Sequence, residues 1–207
     1  MHELKITRKE REGLKATFKN FGKPKTKVEI FYDLCFCITA PQTTFKNNRK
    51  VIDRLQDIGF YYLARDIGNF EMEFFLDILK PVRFYNQKAK YLIEMKRKFD
   101  IIYDIVICNE CSAYDKREYL VKEVKGLGYK AASHFLRNLG DKDLAIIDTH
   151  ILKFLGFTTR YATCKYEYLF YEVRFKNIAK AYNLTVAELD ALIWQRYSGT
   201  KWEDFKW

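Results

Sequence analysis

Apolar side chains recur at helical spacings along most of this chain. Residues 27–39 carry Val28, Ile30, Phe31, Leu34, Cys35 and Ile38, dense enough for a buried helix. The same periodicity predicts helices over 3–20, 47–57, 60–67, 71–79, 85–98 and 100–107, with a Gly/Pro/Lys break at 22–26. Leu120, Val121 and Val124 share one face of a short helix over 117–124. Ala131, Ala132, Phe135, Leu136 and Leu139 do the same over 130–139, where Gly140 supplies a stop. A helix follows Asp148, one spans 165–182, and a last one spans 185–197, opened by the capping-box pair Thr185 and Glu188. Alternating runs are few, and 3 prolines and 9 glycines in 207 residues leave these periodicities largely intact. The pattern predicts an all-α fold.

Between the helices at 117–124 and 130–139 lies Lys125-Gly126-Leu127-Gly128-Tyr129. Glycines permit positive φ and close backbone approach. Gly126 and Gly128 therefore read either as an ordinary turn or as a hairpin whose N–H groups, beside a helix N-terminus, hold a phosphate. Such binding is blind to sequence, because backbone donors reach phosphates and not base edges. Lys130 stands where a first helical turn prefers Asp or Glu. A protonated amine is disfavoured at that positive helix end, which suits a nucleophilic, Schiff-base lysine. The alternative is one more solvated lysine among 37 Lys and Arg. Asp148, just ahead of a helix, reads as an N-cap. A carboxylate fixed by backbone N–H groups also suits the stabilisation of positive charge developing on a sugar.

At 24.8 kDa and 48% apolar residues, the chain can bury a substantial core in one domain or two small lobes. A net charge of +10 points to a polyanionic partner. Lysines 15, 19, 23, 25 and 27, and the run Lys96-Arg97-Lys98, read as solvated basic faces. No apolar run is long enough to span a membrane. No signal peptide is recognisable, and five cysteines without a disulfide framework fit a reducing cytoplasm. Cys108-x-x-Cys111 has no second pair or nearby histidine and reads as two small residues in or beside a helix, rather than as a metal site.

Gly126-Leu127-Gly128-Tyr129-Lys130, with Ile147-Asp148-Thr149-His150 downstream, resembles the lysine-bearing, bifunctional branch of the helix-hairpin-helix DNA glycosylases. The stretch from Gly128 to Gly140, Leu34-Cys35-Phe36-Cys37-Ile38-Thr39-Ala40, and Glu188-Leu189-Asp190-Ala191-Leu192-Ile193-Trp194 resemble the archaeal-type 8-oxoguanine DNA glycosylase/AP lyases. The resemblance implies two helical lobes with a DNA-binding cleft between them: 1–45 and 146–207 in one, 46–145 in the other. It implies Lys130 as nucleophile, Asp148 as its activator, and Gly126, Gly128 and His150 at DNA phosphates. Gln42 would fill the gap left by a flipped base. It implies double-stranded DNA holding oxidised guanine as partner, a monomeric enzyme, and no required cofactor beyond a possible monovalent cation at the hairpin. Endonuclease III-like relatives carry four C-terminal cysteines for an iron–sulfur cluster; here no cysteine lies in the last forty residues, so no cluster is expected.

Trp194, Trp202 and Trp207 all fall near the C-terminus. They read as pins for the tail or as part of a pocket for a flipped base. In the second reading Trp194 stacks on the base, and Asp190, one turn earlier, accepts a hydrogen bond from it. 8-Oxoguanine offers an N–H donor at N7 where guanine has an acceptor, so a fixed acceptor there separates the two. The resemblance places Lys206 and Trp207 in that pocket. Two other functions stay open at this point: an endonuclease III-like enzyme for oxidised pyrimidines, and a non-catalytic helix-hairpin-helix DNA-binding module.

Overall fold

The computed structural model describes residues 4–63, 69–199 and 201–202. Among them are ten α-helices and no strand: α1 (Arg8–Phe18), α2 (Lys27–Thr39), α3 (Phe45–Asp57), α4 (Asn69–Leu79), α5 (Tyr85–Ile107), α6 (Ala113–Glu123), α7 (Tyr129–Asn138), α8 (Thr149–Phe154), α9 (Lys165–Ala181) and α10 (Val186–Ser198). None of these is long and apolar enough to cross a membrane. Three helices open with reciprocal capping boxes: Thr7 with Glu10, Thr26 with Glu29, and the expected Thr185 with Glu188. The Thr7 cap is why α1 starts at Arg8 rather than near residue 3.

The helices divide into two compact units, Pro24–Phe135 and Met1–Lys23 with Leu136–Trp207. The expected boundaries lie at 45 and 145; the compact units divide at 23/24 and 135/136. Packing explains the shift. α2 is covered by α5 and α3, which draws 24–45 into the central unit. Leu144, Ala145, Ile146 and Ile147 are buried, and Ala145 and Ile147 are hydrogen-bonded to Tyr168 and Glu172 of α9, which draws the segment before 146 into the terminal one.

In the central unit α5 is the main support, packing on α2, α4 and α6. Its interior is aromatic: Phe31 lies 4.9 Å from Phe99 and 5.5 Å from Phe60, and Phe60 stacks on Phe75 at 4.9 Å. One 23-residue helix replaces the two expected over 85–98 and 100–107, because Leu92, Met95, Phe99, Ile102 and Val106 continue one buried stripe. Lys96 is not on a solvated face. It is buried, and its ammonium donates to the Phe60 and Tyr61 carbonyls at 2.6 and 2.7 Å. The helix expected at 60–67 is absent from its described part: Gly59, at φ 62°, ends α3 and turns the chain so that Phe60 enters the core. Residues 64–68 lie outside the described residues.

In the terminal unit α10 is central, with α8, α1 and α9 around it. Leu189, Ala191, Leu192 and Ile193 are all fully buried, as a helix covered on several sides requires. Arg196 on α10 binds Glu10 on α1 at 2.6 Å. Gly140, at φ 104°, approaches Gly22 so closely that a Cβ on it would lie 2.7 Å from the Gly22 Cα.

Candidate active site

The hairpin is built by side chains behind it. α6 is capped by Ser112 and ends at Val124, whose carbonyl accepts from the Leu127 N–H at 3.2 Å. Gly126 adopts φ 88°, and a Cβ there would strike the Tyr91 ring at 2.6 Å, so both conformation and space require glycine. Gly128 differs: its φ is not left-handed, and a Cβ would meet nothing within 4 Å. Its value is openness. As the residue preceding α7, glycine brings no side-chain acceptor to the first-turn N–H groups, and it leaves room for a ligand to reach them. Val121 is only half-buried, and the inner face of α6 carries Arg117 beside Leu120 and Val124. Arg117, 1% exposed, donates to Ser133 on α7 at 3.1 Å and lies over the rings of Tyr114 and Tyr129. The Tyr129 hydroxyl in turn donates to Glu118 at 2.8 Å. These contacts fix the first turn of α7, from which Lys130 projects exposed to solvent.

Asp148 is held as firmly, in the terminal unit. Tyr168 on α9 donates to the Ala145 carbonyl at 2.7 Å and accepts from the Ile147 N–H at 3.2 Å. The buried Glu172 accepts from the Ala145 N–H at 3.0 Å. Asp148 then caps α8 as expected, accepting from the His150 and Ile151 N–H groups at 2.8 and 2.9 Å through one oxygen, Oδ1. The His150 ring stands 6.2 Å from that of Tyr197, with the Lys153 ammonium over the same tyrosine at 5.4 Å.

Gln42 occupies a strained turn between α2 and α3. It is exposed and adopts φ 55°, a left-handed conformation costing a non-glycine residue about 1 kcal/mol. Lys88, 5% exposed, sends its ammonium into this turn, donating to the carbonyls of Thr39 and Pro41 at 2.7 and 2.8 Å and to the Thr43 hydroxyl at 3.0 Å. Burial lowers Lys88 to about 8, which leaves it mostly charged at neutral pH. The neighbouring Phe84 is also left-handed, at φ 59°, and exposed beneath the Arg83 guanidinium. The burial of Lys88 in this turn and the left-handed backbone at Phe84 were not legible in the sequence. The backbone outlier at Phe84 carries no residue-type signal, and lysine is the commonest solvated side chain.

The base-pocket candidates separate. Trp194 is 38% exposed, as a stacking surface requires. Asp190 is buried and bound to the Arg137 guanidinium of α7, so the structure gives its carboxylate a partner other than the expected base. Trp202 lies against Gly13 of α1, where a Cβ would sit 2.5 Å from the indole, and so pins the tail. Lys206 and Trp207 lie outside the described residues. Cys108 and Cys111 bracket the turn between α5 and α6, with their sulfurs 3.1 Å apart in a thiol–thiol hydrogen bond.

Comparison with known proteins identifies the family of the chain. The family model for 8-oxoguanine DNA glycosylase matches residues 11–184. An 8-oxoguanine DNA glycosylase/AP lyase of Methanocaldococcus jannaschii is 39% identical over 188 residues, covering 88% of this chain and 86% of its own. The enzyme of the same name from Thermoplasma acidophilum is 33% identical over 190 residues, with the same coverage of 88% and 86%. The crystal structure of the Methanocaldococcus jannaschii 8-oxoguanine glycosylase/lyase in complex with a 15mer DNA containing 8-oxoguanine superposes with a TM-score of 0.78 at 34% identity, covering 92% of each chain. A family match across most of the chain, relatives above 30% identity and the shared all-helical fold together place this chain in the 8-oxoguanine DNA glycosylase family.

Proposed function

We propose that this chain excises 8-oxoguanine from duplex DNA and nicks the strand at the resulting abasic site. The observation that carries the reading is Lys130, exposed in the first turn of α7 directly after a glycine hairpin, in a member of this family. In the proposed reaction the neutral amine attacks the sugar C1′. The glycosidic C–N bond breaks, and its electron pair leaves with the base, which takes up a proton. The lysine nitrogen then loses a proton and its lone pair expels O4′, which is protonated as the sugar ring opens; the iminium so formed at C1′ makes a C2′ proton acidic. Loss of that proton and departure of the 3′ phosphate complete a β-elimination.

Asp148 acts on the same reaction electrostatically. Two backbone N–H groups hold its Oδ1 in one direction, so the carboxylate needs little reorganisation as positive charge develops on the sugar. The open backbone at Gly126 and Gly128 and the side chain of His150 hold phosphates, Trp194 stacks on the extruded base, and Gln42 enters the gap it leaves. Lys206 and Trp207 complete the pocket. The last-turn carbonyls of α6 are the oxygen donors that a monovalent cation takes, and such an ion would bridge the hairpin to a phosphate. The reading includes no iron–sulfur cluster, and it describes a monomer acting in the cytoplasm.

The test is strand cleavage on a duplex holding one 8-oxoguanine. The expected product is a shortened strand without alkali treatment, with free 8-oxoguanine in solution. An intact strand with salt-sensitive binding would point to a non-catalytic helix-hairpin-helix module. Cleavage confined to oxidised pyrimidines would point to an endonuclease III-like specificity.

A further inference from the structure

Lys88 is a costly residue to bury. An ammonium leaves water only if its donors are satisfied, and here the three acceptors come from one turn, Thr39, Pro41 and Thr43. They flank Gln42, whose own side chain is exposed and whose backbone is left-handed. The Thr43 hydroxyl also accepts from the Arg83 N–H at 3.4 Å, and the Thr43 N–H closes the turn on the Ala40 carbonyl at 3.0 Å. A single charged group on α5 therefore gathers the carbonyls of the Gln42 turn inward. With the carbonyls turned in, the side chain between them is turned out.

We propose that Lys88 is a positioning residue that sets the conformation of the 39–43 turn and thereby the depth and direction in which Gln42 enters the DNA stack. This rests on the reading of Gln42 as the gap-filling residue of a base-extruding enzyme. The strained φ at Gln42 supports it, because such a backbone persists only where its surroundings over-determine it, and Lys88 supplies three of the bonds that do so. A buried apolar side chain in place of Lys88 would fill the same space and leave the Thr39 and Pro41 carbonyls unpaired, so the turn would relax toward an unstrained φ.

The experiment compares wild type, Lys88→Met, Gln42→Ala and the double variant. Each is assayed for single-turnover excision of 8-oxoguanine from a duplex and from a single strand, where there is no opposite strand and no gap to fill. A 2-aminopurine opposite the lesion reports stacking in the gap by its fluorescence. Wild-type excision on the duplex establishes the reaction; its absence overturns the functional reading itself. The expected result is a loss of at least about tenfold on duplex in both single variants, little change on single strand, and a matching loss of the 2-aminopurine signal. The double variant is expected to be no worse than the poorer single. Losses that multiply, an equal loss of Lys88→Met on single strand, or wild-type behaviour of Lys88→Met would each overturn the role of Lys88. A neutral Gln42→Ala would overturn the gap-filling role of Gln42 and this proposal with it.

Discussion

The Tyr168 hydroxyl donates to the Ala145 carbonyl and accepts from the Ile147 N–H, so one phenol on α9 clamps the extended backbone immediately before Asp148. Both backbone groups belong to buried residues. Tyr168→Phe leaves them without this partner, and the expected cost is about 1–3 kcal/mol of stability. Because Asp148 begins at the end of the clamped segment, the variant is also expected to lose kcat more than KM on 8-oxoguanine duplex. Denaturant unfolding and single-turnover kinetics measure the two effects separately.

Asp148 combines a cap and a charge, and two substitutions divide them. Asp148→Asn keeps an oxygen that can accept from the His150 and Ile151 N–H groups, so the fold should hold. Asp148→Ala removes the cap and is expected to cost about 1 kcal/mol. Both lose the carboxylate, and both are expected to lose base excision by a similarly large factor. An Asp148→Asn protein with near wild-type excision would reduce Asp148 to a cap.

How far the sequence carries depends on how local each interaction is. The Thr185 and Glu188 capping box and the Asp148 cap were legible because donor and acceptor lie within three residues. The hairpin glycines were legible as a pair, but their roles differ for reasons only the fold supplies: Gly126 faces Tyr91, and Gly128 faces open space. The continuity of α5 was hidden because the charged run at 96–98 interrupts the apolar pattern, while Lys96 is buried by carbonyls 35 and 36 positions away. Asp190 looked free to meet a base because its partner, Arg137, is 53 residues distant. Lys88 was missed for the same reason.

Acid should weaken the terminal unit through Glu10. Its hydrogen bond to the Arg196 guanidinium, aided by the Thr7 cap, lowers its carboxyl from 4.5 to about 2. The folded form therefore binds this proton less readily than the unfolded chain. The stabilisation is complete above pH 4.5 and is lost as pH falls from 4.5 through 2. Glu10→Gln is expected to lower stability at pH 7 by on the order of 2 kcal/mol and to flatten the stability profile across that window. Urea midpoints measured between pH 7 and pH 2.5 would show it, and parallel profiles for the two proteins would contradict it.

The cysteines should react in order of environment. Cys35 and Cys37 are buried, and burial pushes the Cys35 thiol well up. The Cys111 thiol hydrogen-bonds to Cys108 and lowers Cys108. Iodoacetamide at pH 8 is expected to alkylate Cys108 faster than Cys111, and both long before Cys35 and Cys37 in the folded protein. Peptide mapping against time reads the order. In Cys111→Ala, loss of the hydrogen-bond donor is expected to slow alkylation of Cys108.

Borohydride trapping on a duplex with one 8-oxoguanine tests the central claim most directly, with wild type beside Lys130→Gln. Reduction turns a lysine–sugar Schiff base into a permanent cross-link. The account predicts a covalent protein–DNA adduct in wild type, with the modified peptide mapping to Lys130, and none in Lys130→Gln although both bind the duplex. Binding and excision by wild type without any adduct, or an adduct that survives in Lys130→Gln, would contradict it.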